Sequence, residues 1–325
     1  MNPNDFRQVF ISGGAGFIGS HLTRRLLSMP NVEKVVIYDN FSSGRDAYLA
    51  GLLDDPRLKI VRDDLKDVKA VTAAMQGCDA VFHLAANPDI AKAATQPDID
   101  FWEGTYLAQN VVEAMRINGV RNILYTSGSG VYGENPSVAF AEDYGPLIPI
   151  SPYAASKLAC EALISAYCFM FDIEGRAFRF ANVVGPRQTH GVGYDFVRRL
   201  RADPSQLRIL GDGTQCKSYI HVEDILAAVF LVAEKSTQRF DLFNVATDDY
   251  ITVREIADIA VAVSDLPPGS VRYDFTGGDR GWKGDVPVAR FDVTKIKSLG
   301  WRAGRISAEA VRDAIIAMRA EIENG

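Results

Sequence analysis

A short apolar run followed by three evenly spaced glycines constrains this chain more than any other feature. Residues 9–11 predict a buried strand, and the stretch from 16 to about 27 predicts a helix behind it. A turn this tight needs the backbone freedom of Gly13. A diphosphate can approach the backbone at Gly16, and the helix can lie close to the strand at Gly19. Because the helix start also presents unpaired N–H groups to an anion, the pattern predicts a dinucleotide-binding turn.

A carboxylate stands where the ribose of such a dinucleotide is expected. The second predicted strand, residues 35–38, ends in Asp39, which lies twenty residues after Gly19. An acid at this place accepts hydrogen bonds from the adenosine ribose hydroxyls and repels a 2′-phosphate. The sequence therefore predicts NAD rather than NADP as the cofactor.

Length and composition are those of an ordinary globular protein with a large core. The 325 residues are enough for two domains or one enlarged α/β domain, and 47% of them are hydrophobic and 23% charged. A net charge of −6 argues against a nucleic-acid partner and against an anionic membrane surface. No apolar run approaches a membrane span and the N-terminus lacks an apolar signal core, so we expect a cytoplasmic location.

The cysteines and histidines indicate neither a disulfide framework nor a metal site. The four cysteines have no paired short spacing, and the four histidines are scattered without a helical pair. The cysteines are Cys78, Cys160, Cys168 and Cys216. We therefore expect reduced thiols and no bound metal.

Strand and helix patterns alternate through the first half of the chain. Short apolar runs typical of buried parallel strands recur, and longer helical patterns fill the gaps between them. The strand patterns are 58–61, 80–83 and 123–126, and the clearest helical patterns are 98–118 and 153–171. The alternation predicts an α/β fold, a Rossmann-type doubly wound parallel sheet with its ligands at the carboxyl ends of the strands.

The second half changes in character. Pro, Gly and aromatic residues interrupt it, for example at 266–268 and 277–278, and only short strands and helices fit between them. We predict a smaller α/β C-terminal lobe that binds the substrate. The predicted cofactor domain comprises residues 1–180 with a returning segment near 219–246, and the predicted substrate lobe comprises residues 181–325.

A tyrosine and a lysine four residues apart form the sharpest chemical signal. Tyr153 and Lys157 open a predicted helix after Ser151, so both side chains fall on one helical face. The ammonium of Lys157, together with a nearby nicotinamide cation, favours the phenolate form of Tyr153. We therefore expect Tyr153 to act as a general base near neutral pH.

Nine sequence blocks together resemble one family over nearly the whole chain. The blocks are ISGGAGFIGSHL (11–22), YDNFSSG (38–44), DL (64–65), HLAA (83–86), VYG (131–133), SPYAASK (151–157), NVVGPR (182–187), GDGTQCKSYIHVED (211–224) and DRGWKGDVP (279–287). The chain resembles the extended short-chain dehydrogenase/reductase family, and within it the NAD-dependent nucleotide-sugar epimerases and dehydratases. The last two blocks look most like those of archaeal-type UDP-galactose (UDP-glucose) 4-epimerases.

The resemblance implies roles for particular residues. For the cofactor it implies Gly13, Gly16, Phe17, Ile18, Gly19, Asp39, Asn40, Ser43, Gly44, Asp64, Leu65, Leu84, Ala85, Ala86, Tyr153 and Lys157. For a nucleotide-sugar substrate it implies Asn182, Arg187, Lys217, Tyr219 and Arg280. Asn182 would touch the diphosphate, and Lys217 and Arg280 would bind phosphate. Lys217 stands where that group often carries Arg, which keeps the charge and loses the bidentate geometry.

The resemblance also implies a reaction and an assembly. Tyr153 takes a proton from a sugar hydroxyl while hydride passes to NAD, which gives a 4-keto sugar and NADH. The keto sugar then rotates and receives the hydride on its other face, so the net change is an epimerisation. Relatives pair through the helices that correspond to 98–118 and 153–171, so a homodimer is expected.

One residue departs from the family pattern near the catalytic tyrosine. The family's catalytic Ser or Thr corresponds to Gly128, which has no hydroxyl to bridge the sugar and Tyr153. Three alternatives stay open: Ser127 or Ser129 supplies the hydroxyl after a backbone shift, or Tyr153 acts directly. The acids of family dehydratases and decarboxylases are also missing, since their positions hold Ser129 and Gly130.

Epimerisation of a UDP-hexose is therefore the leading prediction from the sequence. The first alternative is another nucleotide-sugar enzyme on the same scaffold, either a reductase or an epimerase of a different sugar. The second is a catalytically impaired protein that binds NAD and a nucleotide sugar, because Gly128 replaces the usual hydroxyl residue.

Several further residues receive structural predictions. Gly104, inside the predicted helix 98–118, costs about 1 kcal/mol against Ala, and either alters cofactor contacts or is a neutral change. Phe169, Phe171, Phe178 and Phe180 are predicted to be core residues, and Glu134, Glu142 and Asp143 are predicted to be solvated loop acids.

Overall fold

The computed structural model describes residues 1–324, and the chain divides into two compact units. The first unit contains residues 1–131, 151–179 and 226–243, and the second contains 132–150, 180–225 and the remainder from 244. Each unit has its own buried apolar cluster. The segment 132–150 packs with the second unit, although it lies inside the range 1–180 predicted for the cofactor domain. The assignment of cofactor and substrate to these ranges stays a prediction.

The strands are short, and within the described chain seven of them form the central sheet, in the order β12-β7-β5-β4-β1-β2-β3. In chain order the strands are β1 (Gln8–Ser12), β2 (Lys34–Asp39), β3 (Leu58–Arg62), β4 (Ala80–His83), β5 (Asn122–Gly128), β6 (Ala139–Phe140), β7 (Glu174–Phe180), β8 (Asn182–Val184), β9 (Gln206–Ile209), β10 (Cys216–Lys217), β11 (Tyr219–His221), β12 (Phe240–Val245), β13 (Ile251–Thr252), β14 (Arg272–Phe275) and β15 (Arg290–Phe291). The remaining strands form two-stranded pairs: β10 with β13, β11 with β8, β14 with β9, and β15 with β6.

The helices lie between the strands and at the end of the described chain. In chain order they are α1 (Phe17–Leu27), α2 (Val68–Ala74), α3 (Tyr106–Asn118), α4 (Pro152–Met170), α5 (Val192–Ala202), α6 (Val222–Lys235), α7 (Val253–Val263), α8 (Thr294–Ser298) and α9 (Ser307–Asn324). A π-helical turn, Phe101–Thr105, runs directly into α3. Short 3-10 turns lie at Pro3–Asp5, Asp46–Leu49, Ile90–Ala94 and Ser129–Tyr132.

The central sheet is parallel, and its middle strand is buried on both faces. β1 pairs in parallel with β2 on one side and with β4 on the other. Val9, Phe10 and Ile11 in β1 have no exposed surface, and successive residues of a strand point to opposite faces, so both faces are covered. The predicted Rossmann-type α/β fold is confirmed.

The strand order reverses beside β1, and this fixes where the sheet can bind a ligand. The chain moves outward from β1 through β2 to β3, and then returns to β4 on the other side of β1. Parallel sheets of this kind bind ligands at the carboxyl ends of the strands where the order reverses. The ends of β1 and β4 are therefore the expected position of a cofactor.

The second half contains longer helices than the sequence patterns predicted. α6 has 14 residues and α9 has 18, so the expectation of only short helices in this half was wrong. Buried Ala310, Val311, Ala314, Ile315 and Met318 follow the three- and four-residue spacing of one helical face. The Gly- and Pro-rich segments lie outside α6 and α9, which contain neither residue.

The end of α4 exposes two aromatic residues that were predicted to be core. Phe169 and Phe171 are 68% and 42% exposed, so the prediction was wrong for this pair. Phe178 and Phe180 on β7 are buried as predicted. In the last turn of α4 it is Cys168 that is buried, and the aromatic rings beside it point away from the core.

The described residues contain no membrane-spanning helix, no metal-binding cluster and no disulfide. None of the helices among residues 1–324 is long and apolar enough to cross a membrane. In the same residues, no group of three or more His, Cys, Asp or Glu side chains is arranged to hold a metal ion. The four cysteines of the described chain are free thiols.

Candidate functional site

The glycine-rich turn between β1 and α1 has the geometry that its spacing predicts. Gly13 has a φ of 74°, in the left-handed region that other residues rarely adopt. Its N–H donates to the carbonyl oxygen of Tyr38 at 3.0 Å, which ties the turn to β2. A Cβ at Gly13 would stand 2.9 Å from the backbone nitrogen of Ala85. The backbone after β4 therefore lies directly against the turn.

Gly16 and Gly19 differ in what a side chain would meet. A Cβ at Gly19 would lie 2.1 Å from the carbonyl oxygen of Gly13, so α1 can approach the turn only because this residue is glycine. A Cβ at Gly16 would meet that same oxygen at 3.4 Å, with more room around it. α1 begins after Gly16 without a side-chain cap, so the N–H groups of its first turn stay available to an anion. This cradle fits the diphosphate of a dinucleotide.

Asp39, at the end of β2, is held against the same turn. Its Oδ2 accepts from the N–H of Ala15 at 2.9 Å, and its Oδ1 accepts from the N–H of Phe41 at 2.8 Å. Burial raises the pKa of this carboxyl, and the two backbone hydrogen bonds lower it. Each carboxylate oxygen can accept a further hydrogen bond, so Asp39 is placed to accept from a ribose hydroxyl.

The other residues implied for the cofactor lie in the turn or in the loops beside it. A Cβ at Gly44 would meet the Cβ of Ala15 at 2.8 Å, so the loop after β2 returns to the turn. Asp64 accepts from the N–H of Lys66 at 2.9 Å and from the side-chain amide of Asn40 at 3.4 Å. Of the remaining positions, Phe17 and Ile18 open α1, Leu84 and Ala86 follow β4, Leu65 is buried and Ser43 is exposed.

Tyr153 and Lys157 lie side by side in the first turns of α4. The hydroxyl of Ser151 caps this helix by accepting from the N–H of Ala154 at 3.2 Å. The ammonium of Lys157 lies 5.5 Å from the ring centroid of Tyr153. Lys157 is buried, and its Nζ donates to the carbonyl oxygen of Thr126 at 2.7 Å. The phenol and the buried ammonium therefore lie on one face of α4.

A buried ion pair joins α4 to β7 and also binds the end of β5. Glu161, one turn beyond Lys157, accepts from the hydroxyl of Ser127 at 2.5 Å. Arg179 on β7 donates to both oxygens of Glu161, at 3.0 and 2.7 Å. The hydroxyl of Ser127 is therefore committed to this Ser127–Glu161–Arg179 cluster. Ser129 is half-buried, and no residue in the described part of the chain binds its hydroxyl.

Gly128 ends β5 with open space where a side chain would stand. A Cβ placed there would meet no atom within 4 Å, so no packing contact requires glycine. A Cβ at Gly130 would lie 2.9 Å from the Cβ of Ala154 on α4. A hydroxyl side chain at Gly128 would therefore need no movement, whereas an acidic side chain at Gly130 would require α4 to shift.

The pocket of Tyr153 and Lys157 also contains three polar residues to which the sequence analysis gave no role. They are His83, Asn87 and Asp100. Burial, and then the charge of Lys157, lower the pKa of His83 to about 3, so this ring is neutral. Burial raises the pKa of Asp100, while a 2.9 Å hydrogen bond from Asn87 and the charge of Lys157 lower it. The HLAA block, which begins at His83, was the signal that could have identified this wall of the pocket.

Packing explains the glycine at position 104, whereas the sequence analysis considered only altered cofactor contacts or a neutral change. A Cβ there would lie 2.3 Å from the Oγ of Ser156 on α4. That hydroxyl donates to the carbonyl oxygen of Asp100 at 2.7 Å and shares a hydrogen bond with Thr105 at 2.9 Å. The glycine thus lets the π-helical turn lie against α4.

Lys217 and Arg280, the cations implied for a phosphate, are both paired with carboxylates of the second unit. Lys217 on β10 donates to Asp285. Arg280 donates through Nη2 to both oxygens of Glu134, at 2.8 and 3.0 Å, and through Nη1 to the carbonyl oxygen of Asp285 at 2.8 Å. These four residues form one connected network, which we call the cation cluster.

The remaining substrate candidates differ in how they are placed. Asn182 is exposed at the start of β8, and its side-chain amide donates to the carbonyl oxygen of Ser218 at 3.2 Å. Arg187 has a φ of 69°, and its N–H donates to both oxygens of Glu321, at 2.9 and 3.1 Å. Tyr219 packs in the apolar cluster of the second unit, where burial raises the pKa of its hydroxyl. Their roles in substrate binding stay predictions.

Of the three acids predicted to be solvated, only Glu142 is not. It accepts from the N–H of Asn244 at 2.8 Å and burial raises its pKa, so the prediction was wrong for Glu142, whose donor is more than a hundred residues away in the chain. Glu134 is exposed, as predicted, and also pairs with Arg280. Asp143 is exposed, as predicted.

Sequence comparison agrees with this geometry. The model of the NAD dependent epimerase/dehydratase family matches residues 9–246. The UDP-glucose 4-epimerase of Mycolicibacterium smegmatis is 31% identical over 316 residues, which cover 95% of this chain and 97% of that protein. The family resemblance stated from the sequence motifs is therefore confirmed.

Solved structures of the same fold include enzymes of both reaction types. A UDP-galactose 4-epimerase has a TM-score of 0.85 and 36% identity, covering 97% of this chain and 99% of that one. A dTDP-glucose 4,6-dehydratase from Streptomyces venezuelae, with NAD bound, has a TM-score of 0.87 and 27% identity, covering 97% and 98%. The predicted cofactor, NAD, is confirmed. The chain therefore belongs to the NAD dependent epimerase/dehydratase family, and it is an NAD-dependent epimerase of the extended short-chain dehydrogenase/reductase type.

Proposed function

We propose that the protein is a nucleotide-sugar 4-epimerase that interconverts UDP-glucose and UDP-galactose through a transient 4-keto sugar. The observation that carries this proposal is the buried ammonium of Lys157 beside the phenol of Tyr153. The similarity to UDP-glucose and UDP-galactose 4-epimerases supports the choice of sugar nucleotide.

Each part of the site has its own role in the proposed reaction. The glycine cradle and Asp39 hold NAD, which accepts and donates a hydride when it is bound. Tyr153 takes the proton of the sugar 4-hydroxyl and returns it to the 4-oxygen after the keto sugar has rotated to present its other face. Lys157 is the one cation among the described residues that line the pocket, because His83 is neutral there. Its charge therefore stabilises the phenolate of Tyr153.

The hydroxyl that the family places between sugar and tyrosine comes from Ser129 in this proposal, one residue away from the family position at Gly128 and therefore less well positioned for proton transfer. Ser127 is committed to Glu161 at 2.5 Å and is buried. Ser129 follows the flexible Gly128 and is half-buried. In the second unit, Asn182, Lys217 and Arg280 bind the diphosphate, with Arg187 and Tyr219 contributing to the same substrate site.

Two observations favour epimerisation over elimination of water. The residues that carry acids in the family's dehydratases are Ser129 and Gly130 in this chain. The space at Gly130 is also closed, since a Cβ would lie 2.9 Å from Ala154. A second candidate function, a protein that binds NAD and a nucleotide sugar without turning it over, is favoured by Gly128 alone.

Product analysis of the purified protein tests these functions together. The protein is incubated separately with UDP-glucose, UDP-galactose, their N-acetyl forms and UDP-glucuronate, and the products are separated by chromatography. Isomeric product without added cofactor supports the proposal. Consumption of NADH would indicate a reductase instead, and tight NAD binding without any product would indicate the binding protein.

Restoring a hydroxyl at position 128 is expected to raise turnover by about tenfold or more. Positioned proton transfer contributes roughly 10²–10⁴-fold to such reactions, and the open space at Gly128 accepts a side chain without strain. Turnover of Gly128→Ser and Gly128→Thr is compared with that of the unmodified protein. Gly128→Ala fills the same space without a hydroxyl and should give no gain. Equal turnover in all four proteins would show that no hydroxyl is missing.

We also propose that the protein is a homodimer, as the family resemblance implies. Within the first unit, exposed Phe101 and Trp102 lie on the π-helical turn before α3. Exposed Phe169 and Met170 end α4, and exposed Phe171 follows them. Exposed apolar groups of this size on two helices are typical of a surface that another chain covers.

The predicted cytoplasmic location stays a prediction from the sequence.

Phe169→Glu is expected to convert the dimer to a monomer. A charge inside an apolar interface loses its hydration and finds no partner there. The measurement is molar mass by light scattering after size-exclusion chromatography. Ile306→Glu, at an exposed isoleucine outside this surface, is the matched control and should leave the mass unchanged. A dimer that survives Phe169→Glu would place the interface elsewhere.

A further inference from the structure

The cation cluster of the second unit neutralises itself. Lys217 and Arg280 face Asp285 and Glu134, so each charge has a partner inside the cluster. Both terminal nitrogens of Arg280 already donate, Nη2 to the two oxygens of Glu134 and Nη1 to the carbonyl oxygen of Asp285. A diphosphate can therefore bind both terminal nitrogens in the bidentate geometry only if a resident acceptor leaves.

The two carboxylates of the cluster differ in burial and in the number of their hydrogen-bond partners. Asp285 is 8% exposed, and its oxygens accept from Lys217 and, at 3.1 Å, from the N–H of Gly281. For the Glu134 carboxylate, Arg280 is the only hydrogen-bond partner in the described part of the chain. Releasing Glu134 thus breaks one ion pair. Releasing Asp285 breaks its contacts with both Lys217 and Gly281, and leaves a buried charge without a partner.

The Glu134–Arg280 pair is weak enough to exchange with a ligand. The side chains of Arg280 and Glu134 are 34% and 32% exposed, and ion pairs that water reaches contribute little net free energy. A freed Glu134 carboxylate can return to water without an uncompensated burial cost. A diphosphate carries more charge than one carboxylate, so it is the stronger partner for the guanidinium.

We propose that Glu134 is a tethered competitor of the substrate diphosphate: it occupies Arg280 in the free protein and leaves it when a nucleoside diphosphate binds. The inference rests on the proposed nucleotide-sugar function. It adds a residue that sets how tightly that substrate is held. Because every binding event must displace Glu134, the nucleotide binds less tightly than to an unoccupied Arg280 and is released faster.

The test is the affinity of the NAD-loaded protein for UDP, measured by titration calorimetry. We expect Glu134→Gln to bind UDP about threefold to tenfold more tightly than the unmodified protein, because glutamine keeps the size of the side chain and removes its charge. The gain should shrink as salt is added, since these charges are partly exposed. The thermal unfolding midpoint of each variant verifies that it is folded.

Asp279→Asn is the matched control. Asp279 is largely exposed and stands 3.7 Å from the Nε of Arg280, so this variant removes a charge beside the same guanidinium without freeing a short hydrogen bond. It should change UDP affinity by less than about twofold. An equal gain in both variants would overturn the proposal in favour of general electrostatics.

Two further outcomes separate this inference from the proposed function. Unchanged or weaker UDP binding by Glu134→Gln overturns the inference alone, because Glu134 would then orient Arg280 for the ligand. If neither the unmodified protein nor either variant binds UDP while NAD remains bound, the proposed substrate class fails together with the inference.

Discussion

Replacing Tyr153 with Phe is expected to lower the turnover of UDP-glucose by about 10²–10⁴-fold. The substitution removes the phenol oxygen that takes the sugar proton and leaves the ring in place. Lys157 keeps its hydrogen bond to the carbonyl oxygen of Thr126, so the shape of the pocket is preserved. The measurement is steady-state turnover, together with the NAD content of the purified protein, which should not change.

Tyr125→Phe is the matched control for this prediction. The ring of Tyr125 lies 5.1 Å from the ammonium of Lys157 and lines the same pocket as Tyr153. Burial raises the pKa of Tyr125 far above its usual value, so its hydroxyl stays protonated and cannot act as a base. Its removal should leave turnover within a few-fold of normal. Equal losses in the two variants would mean that pocket packing, and not the base, carries the effect.

Replacing Arg179 with Met is expected to lower the free energy of unfolding by about 3–5 kcal/mol. The side chains of Arg179 and Glu161 are 2% and 4% exposed, and removing one partner of a buried pair leaves the other charge without compensation. The measurement is the urea midpoint and slope of unfolding, followed by circular dichroism. Because Glu161 also accepts from Ser127, the loss should be accompanied by altered turnover.

Two controls identify the cause of that loss. The double variant Glu161→Leu with Arg179→Met removes both buried charges and should be more stable than Arg179→Met alone. Arg239→Met breaks an ion pair with Asp172 whose side chains are 42% and 76% exposed, and should cost about 1 kcal/mol or less. A loss at Arg179 no larger than the loss at Arg239 would show that the buried pair contributes little.

The geometry of the glycine turn and of the helical face shared by Tyr153 and Lys157 could be predicted from the sequence because its signals are local. Gly13, Gly16 and Gly19 encode a backbone conformation and a close approach within a single turn. The structure shows the first in the φ of 74° at Gly13 and the second at Gly19, where a Cβ would stand only 2.1 Å from the carbonyl oxygen of Gly13. The four-residue step from Tyr153 to Lys157 fixes a shared helical face by helix geometry alone. In each case the residues that define the geometry are near neighbours in the chain.

Other features could be read only from the folded chain. The sequence offered Ser127 and Ser129 as equal candidates, and the contact of Ser127 with Glu161 distinguishes them. It placed Gly104 in a helix, but the close approach of Ser156 that requires glycine comes from another helix. Glu134 is exposed as predicted, but its pairing with Arg280 could not be predicted because nothing near it in the sequence is its partner.

The sequence by itself thus determined the sheet, the glycine turn and the helical face that Tyr153 and Lys157 share, because strand, turn and helix patterns depend on residues a few positions apart. The tertiary structure decided which hydroxyl is available, which cation is occupied and which aromatic rings reach the surface. Arg280 and Glu134 are 146 residues apart in the chain, and Phe169 is exposed while its neighbour Cys168 is buried. Such contacts depend on how whole elements pack against one another, and no local pattern of residues encodes that packing.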